Sequence, residues 1–404
     1  MPKNGIIVGV FSRSVHSRTE ISMTTVFASV CYCIVGSNIG SPEKDALHVL
    51  ECDSETGAAK IVQSVKGIEG TTYFEISPQG RILWSAIRET SLGGEKRTWA
   101  VSFELSGNRI GKMTKVVELK CETPCHVALA PKYALPSYAS YSSGTYSVLS
   151  LCSTPPRMAQ SHAVLPDDAV GPRKDRQKKA YAHQTFYTPD GLLMGVCDLG
   201  CDRVNFYGGV PSAEGGRDLG KCVVSLKADP GDGPRHAIFS KCGRYLFVLN
   251  ELSSSVTGYA YEGGGKFRRT GKWSAVPEGT DPLSTKAAAI KLTADGKVLM
   301  ASNRGLDSIA FFEVKDDGTL EFRNLAMLKG RFPRDFELMP GEKFMVVGHK
   351  LSNEIQIYRF DRAKYALEPV GDAVKCFAPL CFKFMRVQAA RRGSLQVWSV
   401  QRPS

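Results

Sequence analysis

His183, Arg235, Glu251 and Arg304 carry the side chains of this chain best suited to chemistry. An imidazole and a carboxylate can move protons near neutral pH. Two guanidinium forks match the geometry of a phosphate or carboxylate. Arg334 and Lys350 add cations for the same anionic substrate, and Asp198 is a weaker candidate for contacting it. A structural ion pair between Arg235 and Glu251 is the plain alternative, but four such residues at matching places in a repeat argue against it. Asp202, in Val-Cys-Asp-Leu-Gly-Cys-Asp-Arg-Val, is expected to cap its own turn. There is no glycine-rich phosphate loop, nucleophile elbow or His-Glu-x-x-His pattern. Neither a metal nor a cofactor is therefore expected.

The repeat is what gives these residues a common location. Thr-Pro-Asp-Gly-Leu-Leu-Met-Gly-Val, Lys-Cys-Gly-Arg-Tyr-Leu-Phe-Val and Ala-Asp-Gly-Lys-Val-Leu-Met-Ala share one pattern, with turn glycines Gly191, Gly243 and Gly296 spaced 52 and 53 residues apart. Further copies lie at Gly80 and Gly341, and a degraded one near Lys132. Each unit reads as four short strands rich in β-branched and aromatic residues, punctuated by Gly, Pro, Asp and Ser. Four antiparallel strands in about 50 residues make one blade of a β-propeller. First strands are expected near Thr72, Cys125, His183, Arg235, Ala288, Arg334 and Leu380. The last has nothing after it, whereas the N-terminal segment from Val30 has later strands and no first. The fold expected is all-β, a seven-bladed propeller whose C-terminal strand completes the N-terminal blade and removes an open edge. The first strands line a central channel, and the turns bearing Glu251, Arg304 and His349-Lys350 point to its axis. The candidates should then meet at one mouth. His126 should alternate away from the channel if Cys125 faces it.

Residues 23–385 make up this propeller. Residues 1–22 precede it as an extension, with an over-long start at Met23 as one explanation and an organellar leader as another. Residues 386–404 form a tail. The net charge is +12. Residues 1–23 contribute +2, and the segments 171–183 and 386–404 contribute +4 each. Nucleic-acid binders carry a basic stripe on the folded surface, so no nucleic-acid partner is expected. No apolar run reaches the roughly 18 residues of a membrane span. The 12 cysteines in 404 residues are too sparse for a disulfide scaffold and read as reduced thiols in a cytoplasmic protein. A monomer is expected.

Several segments carry a family resemblance. They are Pro124-Cys-His-Val-Ala, Arg176-Gln177 followed by Ala182-His183, and Val196-Cys-Asp-Leu-Gly-Cys-Asp-Arg-Val204. With them go Gly233-Pro-Arg-His236, Leu249-Asn-Glu-Leu252, Ala301-Ser-Asn-Arg-Gly305 and Pro333-Arg-Asp-Phe336. From about Val26 to Met385 the chain resembles the seven-bladed lactonases. That family includes bacterial-type 6-phosphogluconolactonases and the fungal enzyme that cycloisomerises 3-carboxy-cis,cis-muconate. The resemblance implies hydrolysis of 6-phospho-D-glucono-1,5-lactone in the pentose phosphate pathway, without a cofactor, with a small anionic lactone as partner. A muconate-type cycloisomerase and a non-catalytic interaction platform are the alternatives. The family's active-site His, Arg, Glu and Arg fall on His183, Arg235, Glu251 and Arg304, with either His183 or Glu251 as base. Two departures stand out. Ala180-Tyr-Ala-His183 lacks the earlier His of the family's Pro-His-Ala-His, and the turn Pro131–Pro136 lacks its glycine.

Overall fold

Short apolar runs broken by turn residues fold as seven four-stranded antiparallel sheets in a computed structural model of the chain. The structure describes residues 29–37, 45–91, 93–131, 134–152, 157–166, 169–208 and 222–385. The expectations for residues 1–22 and 386–404 lie outside that set. Blades one to six span residues 74–119, 126–164, 182–227, 234–274, 286–327 and 333–375. The seventh is composite. Its inner strand is Pro379–Phe384, followed by Val30–Ser37, Leu47–Asp53 and Ala59–Val65. The seven-bladed ring closed by the chain's far end is as the repeat predicts.

Burial changes across each blade in the way a radial stack requires. Middle strands such as Met194–Asp198 and Phe344–His349 are buried along their whole length, between two neighbouring sheets. Outermost strands such as Ala59–Val65 alternate half-buried and exposed residues. The core is a series of apolar layers between blades, with Phe74, Phe247, Phe312, Phe344 and Phe382 fully buried. Burying such a side chain contributes on the order of 1.5–3 kcal/mol.

A repeated bulge positions the site. In blade three Ala182 pairs Asp198 and Gln184 pairs Cys197, leaving His183 as an extra residue. In blade four Arg235 is extra in the same way, between Pro234 and His236. Blade six repeats this at Arg334, between Pro333 and Asp335, and the closing strand repeats it at Leu380. A bulge re-aims a side chain that strict alternation would send elsewhere. It also turns the following residue inward. This corrects the expectation for His126: it stacks on Tyr73 at 4.2 Å within the channel, although Cys125 faces the channel too.

The closing strand is latched on both sides. Asp335 Oδ2 of blade six accepts the Phe382 N–H at 3.0 Å, and Lys383 Nζ donates to Glu75 Oε2 of blade one at 2.8 Å. Asp335 is buried, so Asp335→Ala leaves a buried N–H without its acceptor. The expected loss is about 1–3 kcal/mol, read as a lower urea midpoint with unchanged slope. Asp335→Asn, which keeps an acceptor, should lose less. An unchanged midpoint in the Ala variant would remove the latch.

Candidate active site

The channel has two mouths. One is a cavity of about 430 Å³ lined at its charged wall by Arg176, His183, Glu251, Arg304, Arg334 and Lys350. His183 and Arg334 come from bulges of inner strands. Glu251, Arg304 and Lys350 come from the point where a second strand ends. Register explains the second set. Asn250 and His349, both buried, are the last residues paired with the inner strand, and the next residue of each turn, Glu251 or Lys350, faces the mouth; in blade five the pairing runs one step further, to Arg304 opposite Lys286. Glu251 is fixed there by its N–H donating to Gly233 O at 2.8 Å and its carbonyl accepting from Ala287 N at 3.1 Å.

The same register corrects the expectation for Asp198. It pairs with Ala182 and so corresponds to Asn250, not to Glu251. The place of Glu251 is taken in its blade by Leu199, which is fully buried and does not line the cavity. Asp198 is fully buried, its Oδ1 accepting the N–H groups of Tyr181, Gly200 and Cys201 at 2.9, 3.0 and 3.2 Å. It shapes a turn and does not line the cavity. Asp202 is structural, but it binds a neighbouring loop where capping of its own turn was expected. Its carboxylate takes the N–H groups of Gly231 and Gly233 at 2.8 and 2.7 Å and Gln177 Nε2 at 2.8 Å.

Glu251 is the hub. Its Oε1 accepts from Arg176 Nη2 at 2.6 Å and its Oε2 from Arg235 Nε at 3.1 Å, and Oε2 also forms an ion pair with Arg304 Nη2 at 2.8 Å. His183 Nε2 lies 4.0 Å from Oε2. Burial alone would push the Glu251 carboxyl up, but Arg304, Arg235, His183 and Arg176 outweigh it and hold it well below the usual carboxylate range. For His183, burial and then Arg235 push the imidazole well below its ordinary value, against the pull of Glu251. At neutral pH the site thus holds an ionised Glu251 beside a neutral His183. The Cys125 thiol, 3.9 Å from His183 Nδ1, is pushed up to about 11 by burial and is no thiolate at neutral pH.

Arg235 lies one layer deeper than the sequence suggests. It is buried beneath Glu251, does not line the cavity, and donates through Nη1 to Ala288 O. Arg304 donates to Lys286 O at 3.3 Å and Ala287 O at 2.7 Å. Phe332 holds the other cations. It adopts φ +66°, a strained backbone for a bulky side chain. Its ring lies under Arg304 at 5.3 Å and Lys350 at 5.9 Å. Among the described residues neither Arg334 nor Lys350 has a carboxylate partner, and Glu251 is the one carboxylate lining this mouth.

The opposite mouth is larger, about 580 Å³, but differs in charge. There Lys291 and Lys383 are matched by Glu75, Asp335 and Glu337, with Lys291–Glu337 at 2.8 Å. It lacks the cationic surplus of the first. Among the described residues no group of three His, Cys, Asp or Glu is placed to hold a metal ion.

The sequence pattern described as "Lactonase, 7-bladed beta-propeller" matches residues 34–384. The chain belongs to the seven-bladed β-propeller lactonase family. With that comes its enzyme class, a lactone hydrolase. This lactonase is 28% identical over 355 residues to the 6-phosphogluconolactonase of Bacillus subtilis, covering 84% of this chain and 95% of the relative. It is 27% identical over 330 residues to the 6-phosphogluconolactonase of Formosa agariphila, covering 81% and 92%. Among solved structures, a periplasmic gluconolactonase of Pseudomonas aeruginosa superimposes with a TM-score of 0.78 at 25% identity, over 89% of this lactonase and all of that chain.

Sequence reasoning left Arg176 and Tyr141 out of the site. Tyr141 stacks on Tyr181 at 4.5 Å and lies edge-on to His183 at 5.6 Å. Arg176 comes from outside the repeat positions used to find the others, whereas Tyr141 follows the second strand of its blade, Pro136–Ser140, as Glu251 follows Tyr245–Asn250. Arg176 sits in the basic 171–183 segment, whose charge therefore serves the mouth in part. Gln177 ties that loop down through Leu199 O and Asp202. Gly200 is indispensable to it, since a Cβ there would collide with Lys179 O.

Proposed function

We propose that this lactonase hydrolyses 6-phospho-D-glucono-1,5-lactone to 6-phosphogluconate, the lactone-opening step of the pentose phosphate pathway. The observation that carries this reading is the surplus of cations at one mouth. Arg334 and Lys350, without carboxylate partners, suit a phosphate, which a neutral sugar lactone would not need. The named 6-phosphogluconolactonase relatives support the same substrate.

Hydrolysis needs a base for the attacking water and positive charge for the oxyanion. Glu251 is a poor base, because three guanidinium groups stabilise its ionised form. His183, neutral and lining the cavity, takes the water proton as the oxygen attacks the lactone carbon. Glu251 then stabilises the imidazolium. When the ring C–O bond breaks, His183 returns the proton to the leaving alkoxide. The carboxylic acid formed ionises and releases one proton to solvent. This reading takes the protein as a cytoplasmic monomer with no nucleic-acid or membrane partner.

The test compares 6-phospho-D-glucono-1,5-lactone with unphosphorylated glucono-1,5-lactone, each corrected for spontaneous hydrolysis. One charge-assisted anion contact of about 1.5–3 kcal/mol corresponds to a preference on the order of 10–100-fold in kcat/KM for the phosphorylated lactone. Equal rates would defeat the substrate assignment. Arg334→Ala should raise KM for the phosphorylated lactone about 10-fold or more, a several-fold larger effect than on the neutral one.

A further inference from the structure

The three guanidinium groups on Glu251 are not equivalent. Arg235 and Arg304 share Oε2, whereas Arg176 alone holds Oε1. The side chains of Arg235 and Arg304 are 3% and 5% exposed, that of Arg176 22%. Arg235 and Arg304 also spend donors on the carbonyls of Ala288, Lys286 and Ala287. Among the described residues the Arg176 side chain makes one further hydrogen bond, a long one of 3.4 Å from Nη2 to Tyr141 Oη. A guanidinium has five N–H donors, and among the described residues Nε and Nη1 of Arg176, which lines the cavity, make no hydrogen bond. Taking Arg176 away from Glu251 leaves the carboxylate held by two buried guanidinium groups. Taking either of the others away would not be so easily compensated.

We propose that Arg176 is the catalytic guanidinium at the reacting carbonyl, giving up Glu251 for the oxyanion of the tetrahedral intermediate and then for the product carboxylate. The proposal rests on the lactonase reading above and gives the oxyanion role to a residue outside the set of His183, Arg235, Glu251 and Arg304. Arg176 and Tyr141 stand beside His183, so a carbonyl carbon over His183 places its oxygen toward them. As water adds to the carbonyl carbon, the C=O π pair moves onto that oxygen, and Arg176 meets the charge where it develops. When the ring C–O bond breaks, the pair returns and the oxygen becomes half of a carboxylate, the group a guanidinium fork fits best. Glu251 is thus the resting-state stand-in for the product carboxylate. Arg334 and Lys350 keep the phosphate throughout.

Full-length Arg176→Gln and Arg176→Lys test this. Readouts are kcat on the phosphorylated lactone and the inhibition constants of D-gluconate and inorganic phosphate. The Gln variant should lose on the order of 10²–10³ in kcat, the usual cost of one oxyanion donor. Its inhibition by D-gluconate should weaken by about 10-fold or more, while inorganic phosphate inhibits as before and reports an intact pocket. Added guanidinium ion should restore part of the activity. The Lys variant keeps the charge beside Glu251 but lacks the fork, and should recover less than about a tenth of the wild-type rate. Full recovery by Lys would overturn the proposal, since charge neutralisation of Glu251 would then suffice. A Gln variant within about 3-fold of wild type, or parallel weakening of gluconate and phosphate, would overturn it too. If the wild-type protein opens neither lactone, the substrate reading fails instead, and calorimetric dissociation constants of D-gluconate and inorganic phosphate for wild type and the Gln variant decide the role of Arg176.

Discussion

Glu251→Gln is expected to cost both stability and most of the activity. The carboxylate is 3% exposed and forms ion pairs with three guanidinium groups, two of them also buried. An amide has one acceptor oxygen and no charge, so Arg235 and Arg304 would remain buried as uncompensated cations. Breaking a buried pair in this way costs about 3–5 kcal/mol, a large share of the roughly 5–15 kcal/mol that holds a domain together. Displacement of Arg176 and His183 should lower kcat on the order of 10²-fold or more, the usual effect of a misplacement near 1 Å. Acid behaviour supplies a second signature. The folded-state pKa of Glu251 is depressed, so its stabilisation is fully present above the unfolded carboxyl value and disappears as pH falls through the folded one. The Gln variant should lose that part of the acid slope. Urea unfolding at several pH values and steady-state kinetics would measure both. A variant with wild-type midpoint and rate would show that Glu251 is not the hub.

His183→Asn should lower kcat on the order of 10²–10⁴-fold, the range for removing a general base. Loss of stability should be small by comparison, since the neutral imidazole leaves no charge behind. The pH profile distinguishes a base from a mere spacer. Burial and then Arg235 depress the imidazole well below its ordinary 6.5, with Glu251 opposing. The neutral, proton-accepting form therefore persists as pH falls through that value. The wild-type kcat/KM should stay level from neutral pH to well below 6.5, with its acid limb further down. In Glu251→Gln the opposing charge is gone, so any remaining limb should move lower still. A wild-type limb at 6.5, or an Asn variant as fast as wild type, would rule out His183 as base.

How much of this was legible in the sequence varies from residue to residue. The bulge residues His183, Arg235 and Arg334 were visible because turn chemistry repeats at a fixed interval and marks the same point in each blade. Glu251, Arg304 and Lys350 were visible for the same reason. Asp198 was misassigned because it ends its strand at the place of Asn250, one residue short of the place of Glu251, and composition does not separate the two. His126 was misassigned because a two-residue period assumes strict alternation, whereas Cys125 and His126 both line the channel, one at each mouth. Arg176 was overlooked because it lies in a connection between blades, where no period applies.

The amino-acid order alone determined that the chain is a ring of seven sheets and that its polar residues recur at one level of that ring. Both follow from local turn and strand preferences repeated along the chain. Only the tertiary structure decided depth. It put Arg235 beneath Glu251, Asp198 in a sealed turn and Arg176 at the surface of the cavity. Depth depends on how neighbouring sheets pack and on which donors backbone carbonyls take up, and residues more than 50 positions apart jointly set it.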